Sequence, residues 1–174
     1  MKNSLLFTCS AVLAIALIRL LPHPANVTPI VGLAITGGML FRARLQAPGV
    51  ILASMLLSDL FIGFHELTLL VYGSLMLIAF ASPKFLNISS NYSRVLMTAF
   101  FSSFLFFITT NFGVWFVQSL YPKTLSGLFT CYVAALPFWG NSLIGDLFYS
   151  VALFSVARIA SGYFQPLKSQ SAAI

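Results

Sequence analysis

Charged residues are scarce in this chain of 174 residues, and acidic ones are the scarcest. Only 7% of the residues are charged, with three Asp and Glu against nine Lys and Arg. An ordinary soluble domain carries about 25% charged residues, so the composition excludes that class. Hydrophobic residues make up 59% of the chain, and apolar runs of about 18 residues, long enough to cross a bilayer, recur along it. We therefore predict one all-α polytopic membrane domain over residues 1–174.

Residues for disulfides and for nucleotide or nucleic-acid binding are also lacking. The two cysteines, Cys9 and Cys131, both lie in apolar stretches, which is typical of small buried residues. The net charge of +6 comes from scattered cations without a basic cluster, so no nucleic-acid partner is predicted. Gly-x-x-x-x-Gly-Lys-Ser/Thr, Gly-x-Ser-x-Gly and Cys-x-x-Cys do not occur. We predict no enzyme activity, no cofactor and no bound metal ion, and any ATP hydrolysis requires another subunit.

Six membrane spans are predicted from the apolar runs and the prolines between them. The predicted spans cover residues 4–21, 27–42, 48–63, 66–82, 94–120 and 141–160. In the first span, the Ala14-Ile15-Ala16 triplet lies inside the apolar run rather than after it. This position favours a retained helix over a cleaved signal peptide.

The last apolar stretch, residues 125–160, is too long for one crossing. As a single helix at ~1.5 Å per residue it would measure roughly 54 Å, against about 30 Å for the hydrocarbon core. Pro137 and Gly140 predict a break. We therefore predict a short extra helix around 125–137, ahead of the sixth span. The alternative is two separate crossings, which would give seven spans.

The distribution of Lys and Arg decides between six and seven spans. With six spans and the N-terminus inside, the inner ends carry Lys2, Arg42, Arg44, Lys84, Arg94, Arg158 and Lys168. The outer ends carry only Arg19 and Lys123, so the inner side has seven cations against two. Cytoplasmic loops carry an excess of Lys and Arg, and a seventh span would weaken the bias to five against four. Both ends are therefore predicted to be cytoplasmic.

Polar residues collect near the predicted outer ends of the spans and form the candidate substrate-binding site. They are Arg19, His23, Asn26, Asp59, His65, Asn111, Trp115, Asn141 and Asp146. A carboxylate inside a span is costly and faces a cavity or a partner. Asp59 or Asp146 either pairs with Arg19 to hold the bundle together or contacts the ligand, and the two roles are compatible. Proton relay is a further role for these carboxylates.

Three of the other candidates have a structural role to weigh beside a binding role. His23 lies between Pro22 and Pro24, which hold the backbone extended, either as a lid over a pocket or as a surface turn. Asn111 lies deep in the fifth span and needs a hydrogen-bond partner there. Trp115, one turn further on, either stacks on a flat ligand or belongs to an interfacial aromatic belt.

Four segments combine polar, aromatic, proline and glycine residues in a distinctive order. They are RLLPHPANVTPI (19–30), LLSDLFIGFH (56–65), TTNFGVW (109–115) and GLFTCYVAALPFWGNSLIGDLFY (127–149). Together they resemble an uncharacterised family of small bacterial membrane proteins described as transport proteins. That family is similar to the substrate-binding S components of energy-coupling-factor (ECF) transporters.

This resemblance implies a compact six-helix bundle in the bacterial cytoplasmic (inner) membrane, with an outward pocket beneath the loop between the first two helices. S components bind a vitamin or similar small molecule and associate with a transmembrane coupling subunit and two ATPases. The coupling subunit typically packs on an Ala-x-x-x-Ala stripe of the first helix, for which Ser10-x-x-x-Ala14 is the nearest match here. The predicted function is therefore substrate binding for uptake of a small nutrient.

Two alternatives remain open. One is a solitary transporter, ion-coupled or facilitative, in which Asp59 and Asp146 would titrate. The other is an intramembrane metal-dependent enzyme, which would draw on Asp59, His65, Glu66 and His23, although these residues have no recognised metal-ligand spacing.

Overall fold

The computed structural model describes residues 2–20, 27–40 and 45–164. Within these ranges the chain is all-α, as predicted, with six α-helices and one short 3₁₀-helix. The helices are α1 Lys2–Leu20, α2 Ile30–Leu40, α3 Gln46–Ile62, α4 Thr68–Ala81, the 3₁₀-helix Ser82–Lys84, α5 Tyr92–Val117 and α6 Leu125–Phe164. By length and composition, two of the described helices are apolar enough to cross a membrane, over Tyr92–Val117 and Leu125–Ile159.

Capping groups set helix starts that differ by a few residues from the predicted ones. α2 begins after Pro29, whose carbonyl accepts the amide of Leu33 at 2.8 Å, so this proline precedes the helix rather than lying inside its first turn. α5 begins at Tyr92, earlier than predicted, because the side chain of Asn91 accepts the amide of Arg94 at 2.9 Å. Asn is among the residues best suited to this N-cap role.

The predicted break after a short helix at 125–137 is wrong, because α6 is one continuous helix of 40 residues with Pro137 inside it. A proline removes one backbone hydrogen bond and bends a helix, but packing on both sides of it keeps the helix continuous here. Before the proline, the Tyr132 hydroxyl donates to a carbonyl of α5 at 2.8 Å. After it, Trp139 stacks on Phe107 of α5, with ring centroids 5.1 Å apart.

α2 is the central helix of the bundle. It contacts α3, α4, α5 and α6, whereas α1 packs on α3. Residues 30–37 of α2 are all buried, as expected for a helix that is apolar on every side. The core around it includes Val50 and Ile51 of α3, Leu75 of α4, Val95 of α5 and Phe154 of α6.

Gly32 allows α2 to lie directly against α6. A Cβ atom added there would be 3.0 Å from the backbone nitrogen of Ser150 and 3.0 Å from the Cβ of Tyr149. Gly32→Ala is therefore expected to lower the free energy of unfolding by about 1–3 kcal/mol, the usual cost of overpacking. Thermal unfolding in detergent micelles measures this change.

The matched control for this prediction is Gly73→Ala, in the interior of α4. Apart from the backbone of α4 itself and the neighbouring residues in the chain, no atom lies within 4 Å of a Cβ added at Gly73. The greater helix preference of Ala should therefore stabilise this variant by about 0.5–1 kcal/mol. Equal unfolding midpoints for the two variants would show that α2 and α6 are not in such close contact.

Candidate functional site

A cavity of about 160 Å³, which we name the central cavity, lies inside the helix bundle. Each of the six described α-helices supplies at least one lining residue. The polar lining consists of Arg19, Thr28, Ser142 and Asp146. The apolar lining consists of Ile30, Val31, Met55, Val71, Leu75 and Phe106. The cavity lies towards the end of the bundle where α1 and α3 finish and α2 and α4 begin.

The volume of the central cavity limits what it can hold in this state. A cavity of about 150 Å³ is large enough for benzene, whereas sites for drug-sized ligands measure about 300–1,000 Å³. At about 160 Å³, the central cavity fits a compound with one small ring, or one ring of a larger compound. Most of its wall is apolar, and the charged side chains of Arg19 and Asp146 supply directional contacts.

An ion pair between Arg19 and Asp59 ties three helices together beside the central cavity. The Nη2 atom of Arg19 lies 2.9 Å from Oδ1 of Asp59, and the two side chains are 15% and 2% exposed. The hydroxyl of Tyr72, on α4, donates to Oδ2 of Asp59 at 2.7 Å. The Nη1 atom of Arg19 donates to the carbonyl of Met55, at 3.3 Å, and to the hydroxyl of Ser58. The predicted pairing with Arg19 is therefore confirmed for Asp59, and it joins α1, α3 and α4.

Asp146 carries the other carboxylate of the site, and its surroundings differ from those of Asp59. Asp146 lies on α6 and is 4% exposed. No described cation forms an ion pair with it. The hydroxyl of Ser103 lies beside the carboxylate, and its oxygen accepts the indole Nε1–H of Trp139 at 3.2 Å. A carboxylate has about four lone-pair sites, so one donor leaves acceptor capacity on Asp146 for a ligand.

His65 contributes to the turn before α4 rather than to the lining of the central cavity. Its imidazole Nδ1 accepts the amide of Leu67 at 3.2 Å, and its carbonyl accepts the hydroxyl of Thr68 at 2.7 Å. The side chain of His65 is exposed. These contacts order the connection that follows α3.

Asn111 and Trp115 make their contacts within α5 and at its end. The side-chain amide of Asn111 donates to the carbonyl of Phe107, one turn earlier, at 2.9 Å. The indole of Trp115 donates to the carbonyl of Pro122 at 2.9 Å. The ammonium of Lys123 donates to the carbonyls of Trp115 and Gln118, where a cation stabilises the C-terminal end of a helix. Neither Asn111 nor Trp115 lines the central cavity.

The predicted site residues thus divide into separate groups. Arg19 and Asp146 line the central cavity, and Asp59 is joined to it through Arg19. Asn141 is exposed on α6 and does not line the cavity, although the next residue, Ser142, does. His23 and Asn26 lie outside the described residues.

Four hydroxyl-bearing residues of the site are missing from the sequence prediction, namely Thr28, Tyr72, Ser103 and Ser142. A serine in a helix usually hydrogen-bonds the preceding turn of its own backbone, as Ser142 does to the carbonyl of Phe138 at 3.2 Å, so its presence alone signals little. Tyr72 is different, because it and Asp59 each lie about one turn from the connection between α3 and α4. That symmetric placement is a sequence signal for contact between two neighbouring helices.

The side chains that a metal-dependent enzyme would use do not come together in the described part of the chain. Asp59 is bound to Arg19 and Tyr72, and His65 is bound to the turn before α4. Among residues 2–20, 27–40 and 45–164, no group of three or more His, Cys, Asp and Glu is placed to hold a metal ion. No observation on these residues favours that alternative.

Comparison with known proteins places the chain in a family but leaves its activity open. No curated protein and no solved structure matches the chain. Residues 1–168 match a family whose description is "Family of unknown function (DUF6580)". Because the match covers nearly the whole chain, the protein belongs to this family of unknown function, DUF6580.

Proposed function

We propose that the protein is a substrate-binding integral membrane protein of the S-component kind, which takes up a small nutrient from the outer face. The observation that carries the proposal is the central cavity, to which each described α-helix contributes and in which Arg19 and Asp146 are the charged groups. A largely apolar pocket with a few convergent polar groups is the usual form of a small-molecule site. Its volume favours a single-ring metabolite, or one ring of a vitamin-like compound.

The distribution of buried and exposed residues supports a position in the lipid bilayer. In each of the two helices long enough to cross a membrane, we consider the most apolar stretch of 18 residues. Only 22% of this stretch in α5 and 28% in α6 is buried. The core helix of a soluble protein would be mostly buried, whereas a helix facing lipid leaves its apolar side chains exposed. Conversely, Asp59, Asp146 and several serines are buried inside the bundle, as polar groups in membrane helices are.

The proposed topology has six spans with both ends cytoplasmic, in which α6 crosses the bilayer once and part of its 40 residues lies outside the hydrocarbon core. The excess of seven cations over two on the inner side supports it. In this orientation α1 and α3 finish on the outer side, so the central cavity lies nearer that side. The described parts of α2, α3 and α4 have 11, 17 and 14 residues, against about 17–25 for a spanning helix.

A coupling subunit with ATPases is the proposed partner, since the chain itself has no phosphate-binding loop. The second candidate is a solitary ion-coupled transporter, which is favoured by the buried carboxylate of Asp146 without a described counter-ion. Uptake in a host that lacks coupling ATPases separates the two. Uptake should disappear in that host under the first proposal and persist under the second.

The proposed binding function is tested with purified protein in detergent. Mass spectrometry should detect a small compound that co-purifies with the chain, or a thermal-shift screen of vitamins, nucleobases and small amines should raise the unfolding temperature. Because ligands stabilise by RT ln(1 + [L]/Kd), a concentration of 100 Kd contributes about 2.7 kcal/mol. A folded sample that carries no compound and that no screened compound stabilises would contradict the proposal.

A further inference from the structure

Resting on the proposed function, we propose that the compound held in the central cavity carries a positively charged amine, which pairs with the carboxylate of Asp146. The proposal follows from how the few acidic groups of this chain are used. The chain has three Asp and Glu residues. Glu66 is exposed, Asp59 is neutralised by Arg19, and Asp146 alone is both buried and without a described cation beside it.

The charges of the central cavity therefore favour a cation over an anion. Arg19 and Asp59 cancel each other, so the carboxylate of Asp146, when ionised, adds one uncompensated negative charge to the cavity lining. An isolated carboxylate loses several kcal/mol of solvation when it is buried. A ligand that brings a positive charge to Asp146 recovers part of this cost, whereas a neutral or negative ligand does not.

Arg19 is poorly placed to serve a ligand carboxylate instead. One of its Nη atoms donates to Met55 and Ser58, and the other faces Asp59. Most of its directional donors are thus already used within the protein. An acidic ligand would compete with Asp59 for the remaining donors and would also be repelled by Asp146.

The carboxylate of Asp146 is held in place by side chains of α5 and α6. Ser103, which is 1% exposed, lies beside it and accepts the indole N–H of Trp139. Trp139 is itself fixed by stacking on Phe107. A hydroxyl that accepts one hydrogen bond becomes a better donor in the next, so Trp139 and Ser103 position the carboxylate. We assign Ser103 as a positioning residue.

Three single-ring probes of similar size test the charge preference. Piperidine is a cation at neutral pH, tetrahydropyran replaces its ammonium by an ether oxygen, and cyclopentanecarboxylate is an anion. Piperidine and tetrahydropyran are comparable in size to the benzene that fits a cavity of about 150 Å³, and cyclopentanecarboxylate is slightly larger. Thermal shift and calorimetry on the full chain in detergent should give piperidine at least about tenfold tighter binding than the other two, because charge-assisted hydrogen bonds exceed neutral ones by roughly that factor.

The same measurements on Asp146→Asn should remove the preference for piperidine over tetrahydropyran. Glu66→Gln is the matched control, since it removes an exposed carboxylate outside the cavity lining, and it should keep the wild-type preference. Ser103→Ala should weaken piperidine binding more than tetrahydropyran binding, and a merely structural loss would weaken both equally. If Asp146→Asn does not fold, the wild-type ranking and Ser103→Ala decide the question.

Several results would overturn the amine proposal. Tetrahydropyran or cyclopentanecarboxylate binding as tightly as piperidine would overturn it while leaving the proposed binding function intact. Stabilisation by sodium chloride alone, dependent on Asp146 and without an effect of piperidine, would replace the amine with a metal cation. Absence of binding by all three probes would also overturn it, and the wider metabolite screen would then decide whether the binding function falls as well.

Discussion

Asp59→Asn is expected to lower the free energy of unfolding by about 3–5 kcal/mol, because it leaves the guanidinium of Arg19 buried without a counter-charge. Arg19 and Asp59 are 15% and 2% exposed, so water cannot replace the lost carboxylate charge. The hydroxyl of Tyr72 would also lose its charged acceptor. Unfolding of the purified protein in mixed micelles, followed by circular dichroism, measures the loss.

Two further variants make this prediction specific to the ion pair. Glu66→Gln removes an exposed carboxylate and should change stability by no more than about 0.5 kcal/mol. The second variant replaces the whole network with apolar groups and combines Arg19→Met, Asp59→Leu and Tyr72→Phe. It should restore most of the stability, because a buried ion pair is often no more stabilising than well-packed hydrophobic residues. If Asp59→Asn were as stable as Glu66→Gln, the ion pair would not hold the bundle.

Val71→Phe is expected to weaken ligand binding at least about 100-fold, the effect of losing about 2.7 kcal/mol. Val71 is partly buried and lines the central cavity from α4. A phenyl ring in place of the isopropyl group takes up space in a cavity of only about 160 Å³. Because the ring fills an existing void, the cost of overpacking should be small, and the unfolding temperature without ligand should stay close to that of the wild type.

Leu69→Phe is the control for the filled cavity. Leu69 is on the same helix and is 85% exposed, so the same aromatic ring is added outside the cavity. Ligand affinity should be unchanged in this variant. Equal affinity in Val71→Phe and Leu69→Phe would place the ligand somewhere other than the central cavity.

The helical class and the pairing of Arg19 with a buried aspartate are the features that the sequence predicts best. Their common basis is the high cost of charge in an apolar chain, which leaves an arginine and an aspartate inside helices few options except each other. The sequence offered either Asp59 or Asp146 as the partner of Arg19. The structure selects Asp59 because α1 packs on α3, and this tertiary choice has no local signal.

The main error in the predicted fold arises where tertiary packing overrides a local rule. Pro137 predicts a break because it lacks an N–H, yet contacts of Tyr132 and Trp139 with α5 keep both halves of α6 in one helix. Asn111 and Trp115 remain candidate ligand contacts, and in the structure each donates to a nearby backbone carbonyl. Polar side chains in an apolar helix signal the need for a partner, and they do not reveal whether that partner is a ligand or the protein itself.

Isothermal titration calorimetry tests most directly whether the central cavity is the binding site. The wild type, Val71→Phe and Leu69→Phe are each titrated with the best compound from the thermal-shift screen. We predict one bound molecule per chain for the wild type and for Leu69→Phe, with equal Kd, and no measurable heat of binding for a folded Val71→Phe. Unchanged binding by Val71→Phe would contradict the account.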